Sequence, residues 1–110
     1  MLDIKDKGRQ TQILINLGGI YKDNKEYGKA EQIYKEILLN IDEQRKIEIL
    51  MNLGSIYKDN KEYEKAEKTY KELLLSDIKD EEIKIEISTS LGNLYKDKKE
   101  YEKAEDIYKK

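Results

Sequence analysis

The chain has 110 residues, 42% of them charged, and its 22 basic and 24 acidic side chains leave a formal net charge of −2. This balance lacks the basic excess that neutralises phosphates, which argues against nucleic acid as a partner. Cys and His are both absent, so disulfides, thiolate metal sites and the commonest metal ligand and general base are excluded.

One domain, residues 1–110, is expected at this length. Met1 to Asp6 reads MLDIKD, with charges where a signal peptide has an apolar run. No stretch is apolar enough to span a bilayer, so no membrane partner is expected. The cytoplasm is the default compartment, and no residue assigns one.

The first unit occupies residues 9–42. Leu14, Leu17, Gly18 and Tyr21 recur at steps of three and four, which places them on one face of a helix. Lys22 to Lys25 is polar and breaks the pattern, so a turn is expected there. Tyr27, Ala30, Tyr34, Ile37, Leu38 and Ile41 then form the stripe of a second helix. Gly18 and Ala30 are the small residues on the two stripes, and the expectation is that they pair where the helices approach. Gly in a helix costs roughly 1 kcal/mol against Ala, a cost that close contact offsets.

The second unit, residues 43–78, repeats the first. ILINLGGIYKDNKEYGKAEQIYKEILLN (13–40) and ILMNLGSIYKDNKEYEKAEKTYKELLLS (49–76) agree at 21 of 28 positions. The third, residues 79–110, contains ISTSLGNLYKDKKEYEKAEDIYKK and has a shorter second helix. All nine Tyr fall at three equivalent sites, and the three Ala (Ala30, Ala66, Ala104) are equivalent to one another. Leu17-Gly18, Leu53-Gly54 and Leu91-Gly92 set periods of 36 and then 38 residues. A lone hairpin cannot cover its apolar face, but stacked hairpins bury a continuous core.

This pattern resembles the tetratricopeptide repeat. A Leu-Gly pair, a Tyr three residues after the Gly, and a Tyr, an Ala and an aromatic on the second helix occur in all three units. The resemblance implies an all-α fold, a right-handed α-solenoid of three helix–turn–helix hairpins. The sequence departs from the usual 34-residue period, and the extra residues lie around Ile41 to Arg45 and Asp77 to Glu82. They are expected to lengthen the next first helix or its preceding turn. The family's Trp is replaced by Leu14, Leu50 and Ser88, and its closing Pro is missing.

The resemblance further implies a concave groove, lined by the first helices, that receives a peptide or a partner's helix. Opposite the apolar stripe the first helix carries Gln12, Asn16, Gly19 and Asp23, flanked by Ile15 and Lys22. Equivalent positions are Glu48, Met51, Asn52, Ser55, Lys58 and Asp59, then Glu86, Thr89, Ser90, Asn93, Lys96 and Asp97. Asn, Ser and Thr suit hydrogen bonds to a peptide backbone. The competing reading is a plain solvated helix face. A carboxylate clamp of the kind found in chaperone-binding members is not matched. Ile15, Gly19, Glu86 and Ser90 stand at its positions, and only Asn52 fits.

Protein or peptide is therefore the expected partner, with no cofactor, no metal and no catalytic residue. The tyrosines read as core by their stripe positions. Glu62 with Lys65 and Glu100 with Lys103 read as surface ion pairs, and the Lys-Asp-Asn-Lys-Glu strings as turn and cap chemistry rather than a calcium loop. The third second-helix leaves Tyr101, Ala104, Ile107 and Tyr108 without a following repeat. Either the chain is part of a longer array, or its end frays, or it self-associates through Ala104, Ile107 and Tyr108.

Overall fold

A computed structural model describes residues 4–109, so Met1–Asp3 and Lys110 lie outside the described residues. Among these, six helices follow in order: α1 (Ile4–Asp23), α2 (Tyr27–Leu38), α3 (Glu43–Asp59), α4 (Tyr63–Leu75), α5 (Glu81–Asp97) and α6 (Tyr101–Lys109). They pair as hairpins α1–α2, α3–α4 and α5–α6, and each second helix also packs on the next first helix. The array is elongated, 51 × 32 × 17 Å. Its radius of gyration is 14.9 Å, against about 13 Å for a compact domain of this length. This is the expected all-α solenoid of helical hairpins.

The turn inside each hairpin has one geometry, used three times. Glu26 N–H donates to the Tyr21 carbonyl at 2.8 Å and Lys25 N–H to the Lys22 carbonyl at 2.9 Å. Glu62 and Lys61, and Glu100 and Lys99, repeat this pair. These six-to-one and five-to-two bonds satisfy the orphan carbonyls at the end of the first helix. The geometry requires a left-handed residue, and Lys25, Lys61 and Lys99 supply it with φ of 61°, 62° and 65°. A side chain there costs about 1–2 kcal/mol, which is why Gly is usual at this position. The turn expected at Lys22 to Lys25 is thus present, with α1 running two residues into it, to Asp23.

Between hairpins, Asp residues start the next helix. The Asp42 carboxylate accepts from Arg45 N–H at 2.9 Å, and Asp80 from Glu82 N–H at 2.9 Å. The two-residue difference between the periods is split. α4 has 13 residues where α2 has 12, and the linker 76–80 is one residue longer than 39–42.

The core is a single row of apolar side chains running through all three hairpins, from Ala30 to Ala104. The largest of its fully covered members are Ile49 and Ile56 on α3 and Ile87, Leu91 and Leu94 on α5. The expected Gly–Ala pairing is corrected by the structure. A Cβ on Gly18 would lie 2.9 Å from the Tyr34 ring, and one on Gly54 2.7 Å from the Tyr70 ring. Each glycine therefore makes room for an aromatic ring on the second helix. Ring volume, not a small-residue contact, fixes this helix approach.

Candidate functional site

That ring placement shapes the exposed edge of the first helices. Tyr70 passes beneath Gly54, its ring buried, and emerges among Met51, Asn52, Ser55, Ser90 and Asn93 in one depression. Lys22 of α1, Lys58 of α3 and Glu86 of α5 complete the lining, so all three first helices contribute. Burial raises the Tyr70 hydroxyl pKa to about 12, partly countered by the hydrogen bond with Ser90 and reinforced by the Asp59 carboxylate. The group stays protonated near neutrality and serves as a hydrogen-bond donor on the groove floor. Tyr108 repeats the arrangement, its hydroxyl donating to Asn93 Oδ1.

A second depression adjoins the first between α3 and α5, lined by Ile47, Glu48, Met51, Asn52, Ile83 and Glu86. Its floor is apolar and its rim carries two carboxylates. Lys58 Nζ reaches Asp97 Oδ2 at 3.5 Å and ties α3 to α5 at the other end of the groove.

Many sequence-predicted positions therefore meet: Glu48, Met51, Asn52, Ser55, Glu86, Ser90 and Asn93 line one or both depressions. The α1 positions contribute less. Gln12 donates to Asn16 Oδ1 at 3.1 Å and accepts from Arg45 at 3.3 Å, so both are partly engaged within the fold. Ile15 is half-buried against the core. Gly19 has open space where a Cβ would stand, and Asp23 and Asp59 are exposed at helix ends. Thr89 departs from the expected groove: its hydroxyl bonds the Ile85 carbonyl at 2.7 Å, and it lines a depression with Ile107 and Tyr108 at the end of the array. Thr89 is the equivalent of Met51, which lines the depression between α3 and α5.

Tyr70, Ile47 and Ile83 were not among the predicted groove residues. Ile47 and Ile83 lie two and four residues before the segments that repeat from Ile49 and Ile87. The Tyr70 signal was present, because the spacing of Gly54 and Tyr70 recurs in all three units and marks a contact across the hairpin. Read on its stripe alone, that Tyr appears as pure core. The stripe reading holds for Tyr34, Tyr57, Tyr70 and Tyr95, which are buried, and fails for Tyr101 and Tyr108, which are 62% and 50% exposed. The predicted self-association residues share the α6 end: Ala104 is buried, Ile107 half-buried, and Tyr108 exposed beside Tyr101 and Glu105.

The opposite edge of the second hairpin junction carries an ionic cluster that was not read from the sequence. Glu67 accepts from Tyr95 Oη at 3.1 Å, Lys98 Nζ at 3.3 Å and Lys71 Nζ at 2.9 Å. Burial alone would raise the Glu67 pKa. The bonds from Lys71, Tyr95 and Lys98 outweigh it and hold the carboxyl at about 2. Lys98 also meets Glu100 at 3.1 Å. The predicted pairs Glu62–Lys65 and Glu100–Lys103 are present at 3.7 Å and 3.2 Å. Among the described residues, no cluster of three metal-ligating side chains occurs and no helix is long and apolar enough to cross a membrane.

Fold and groove together define a helical-repeat protein whose first helices line a shared depression. The tetratricopeptide repeat model matches residues 11–40, 47–77 and 85–110. The chain belongs to the tetratricopeptide repeat family, whose members generally mediate protein–protein interactions and are typically scaffolds without catalytic activity. No curated protein matches the chain.

Proposed function

We propose that the groove binds a peptide or helical segment of a partner protein. The observation that carries this reading is the continuous depression to which α1, α3 and α5 all contribute, floored by Met51, Asn52, Ser90 and the Tyr70 hydroxyl. Its amide and hydroxyl groups suit a peptide backbone. The Ile47–Met51–Ile83 floor suits one apolar side chain, and the carboxylates of Glu48 and Glu86 beside it suit a neighbouring basic residue. Met51 is the adaptable member of that floor. Gln12, Asn16, Ser55 and Asn93 extend the polar lining along the groove. A C-terminal carboxylate is disfavoured, since Glu86 would repel it.

Peptides selected from a random display library on the immobilised chain test the reading. Met51→Lys is expected to weaken the selected binders by about tenfold or more, since it places a charge where an apolar side chain docks. Asn52→Ala and Ser90→Ala are each expected to weaken them a few-fold, the size of one backbone hydrogen bond. Binders indifferent to all three changes would end the groove reading.

A further inference from the structure

Both ends of the array carry surface that is buried elsewhere in the same chain. On α1, Ile13 and Ile20 are 64% and 62% exposed. Their equivalents are covered: Ile49 and Ile56 on α3 are 0% and 1% exposed, and Ile87 and Leu94 on α5 are both 0%. The difference is the preceding second helix, since α3 packs on α2 and α5 on α4. At the other end, α6 places Tyr101, Ala104, Glu105, Tyr108 and Lys109 where α4 places Tyr63, Ala66, Glu67, Tyr70 and Lys71. Tyr108 is 50% exposed where Tyr70 is 3%. Tyr101, Ala104, Glu105, Tyr108 and Lys109 line one shallow, largely apolar depression together with Lys96.

The two ends are complementary, because the chain already contains their junction twice. We propose that the α1 face of one copy of this chain docks on the α6 face of another, reproducing the internal junction and joining copies head to tail. The α4–α5 junction supplies the contacts. Tyr95 donates to Glu67 at 3.1 Å, and Lys58 meets Asp97 at 3.5 Å. By the same register, Tyr21 of a second copy donates to Glu105, and its Asp23 meets Lys96. Its Ile13, Leu17 and Ile20 cover Ala104 and Tyr108. Lys109 already holds Glu105 at 2.6 Å, as Lys71 holds Glu67.

Three substitutions set the strength. Asn24 stands where Lys98 reaches Glu67, and Ser88 and Thr89 stand where Leu50 and Met51 face the next hairpin. The contact between copies is therefore weaker than the internal junctions and reversible with dilution. Because its two halves differ, it does not close, and assemblies grow with concentration. The inference does not rest on the groove reading, and its test leaves Met51, Asn52 and Ser90 unchanged.

Sedimentation velocity of the 110-residue chain over a concentration series tests it, with circular dichroism on the same samples. Mass above one copy that rises with concentration is expected. Ile13→Lys/Ile20→Lys blocks one face and Tyr101→Lys/Glu105→Lys the other. All four positions are exposed in the single chain, so helicity is expected to be kept. Each double variant alone should stay monomeric, its association weakened by more than about tenfold. Their equimolar mixture should form a two-copy species and grow no further, because each partner keeps one open face. A wild-type chain that stays monomeric at its highest soluble concentration overturns the proposal. So does self-association of either double variant, or a mixture that fails to pair. Tyr21→Phe removes the hydroxyl of the assigned contact, and Glu105→Gln removes the charge of its acceptor together with the Lys109–Glu105 pair within the same helix. Each should weaken association a few-fold, and no change in either refutes the assigned contact.

Discussion

The two internal junctions are built from nearly the same sequence and are held differently. At the α4–α5 junction, Glu67 gathers Tyr95, Lys71 and Lys98, and Lys58 reaches Asp97. At the α2–α3 junction, Glu31 keeps its own-helix partner Lys35 at 3.3 Å, but Asn60 occupies the place of Lys98. Among the described residues Lys22 and Asp59 make no ion pair to match Lys58 and Asp97. Tyr57 is buried as Tyr95 is, and its raised pKa has burial as the main cause, with the Glu31 carboxylate next. The apolar part of both junctions is alike, since Ile49, Ile56, Ile87 and Leu94 are all covered. One residue in the turn thus decides whether a carboxylate at the junction edge has one cation or two. In a linear array, stability is a sum of hairpin terms and nearest-neighbour interface terms, so this difference is measurable.

The largest expected effect is with pH. Glu67 is held at about 2 in the folded chain against 4.5 unperturbed. A depressed carboxylate contributes stability above its unfolded pKa, and that stability is lost as pH falls through the folded value. Between about pH 4.5 and pH 2 the wild type should lose at most about 3 kcal/mol through this group. Urea unfolding at several pH values reads it. Glu67→Gln should flatten that limb, and an unchanged limb would mean that the cluster does not form in solution.

Removing the carboxylates altogether comes next. Glu67→Ala removes the shared acceptor of Tyr95, Lys71 and Lys98 and should cost about 2 kcal/mol, while Glu31→Ala should cost less than about 1 kcal/mol. Equal costs would erase the contrast between the junctions. Exchanging the turn residues is a milder test. Lys98→Asn should lower stability by about 1 kcal/mol, and Asn60→Lys should raise it by about 0.5 kcal/mol, as the introduced cation meets Glu31 and Glu62. Failure of Asn60→Lys to stabilise would show that register, and not residue type, separates the two sites.

The smallest change leaves both junctions alone. Lys61 is left-handed at φ 62°. Lys61→Gly should therefore stabilise by about 0.5–1 kcal/mol, because relief of the Cβ contact exceeds the added freedom of the unfolded chain. Thermal unfolding of the variant beside wild type checks this.

Much of the molecule was legible in one dimension. The register of nine Tyr and three Ala defined three hairpins, and the steps of three and four defined which face of each helix is buried. These features are local, since a helix face follows from residue spacing alone. The groove was partly legible. Asn52 and Ser90 follow from their place opposite the stripe, whereas Ile47 and Ile83 come together only through the approach of α3 to α5. The left-handed lysines and the Glu67 cluster were not legible, and the Gly–Tyr contact showed only as a repeated spacing of 16 residues. Each depends on where a side chain lands after two helices dock. Lys98 and Glu67 are 31 residues apart, and Tyr70 reaches the groove only because Gly54 leaves the space above its ring.

The sequence by itself therefore determined the helices, their number among the described residues, their buried faces and the family. Local periodicity and repetition carry that information, because residue spacing alone sets which side chains share a helix face. Only the tertiary structure decided which polar groups meet across hairpins, which tyrosines are covered and what the two ends expose. Those properties belong to distances between elements, and such distances are set by packing volume and by the presence or absence of a neighbouring hairpin.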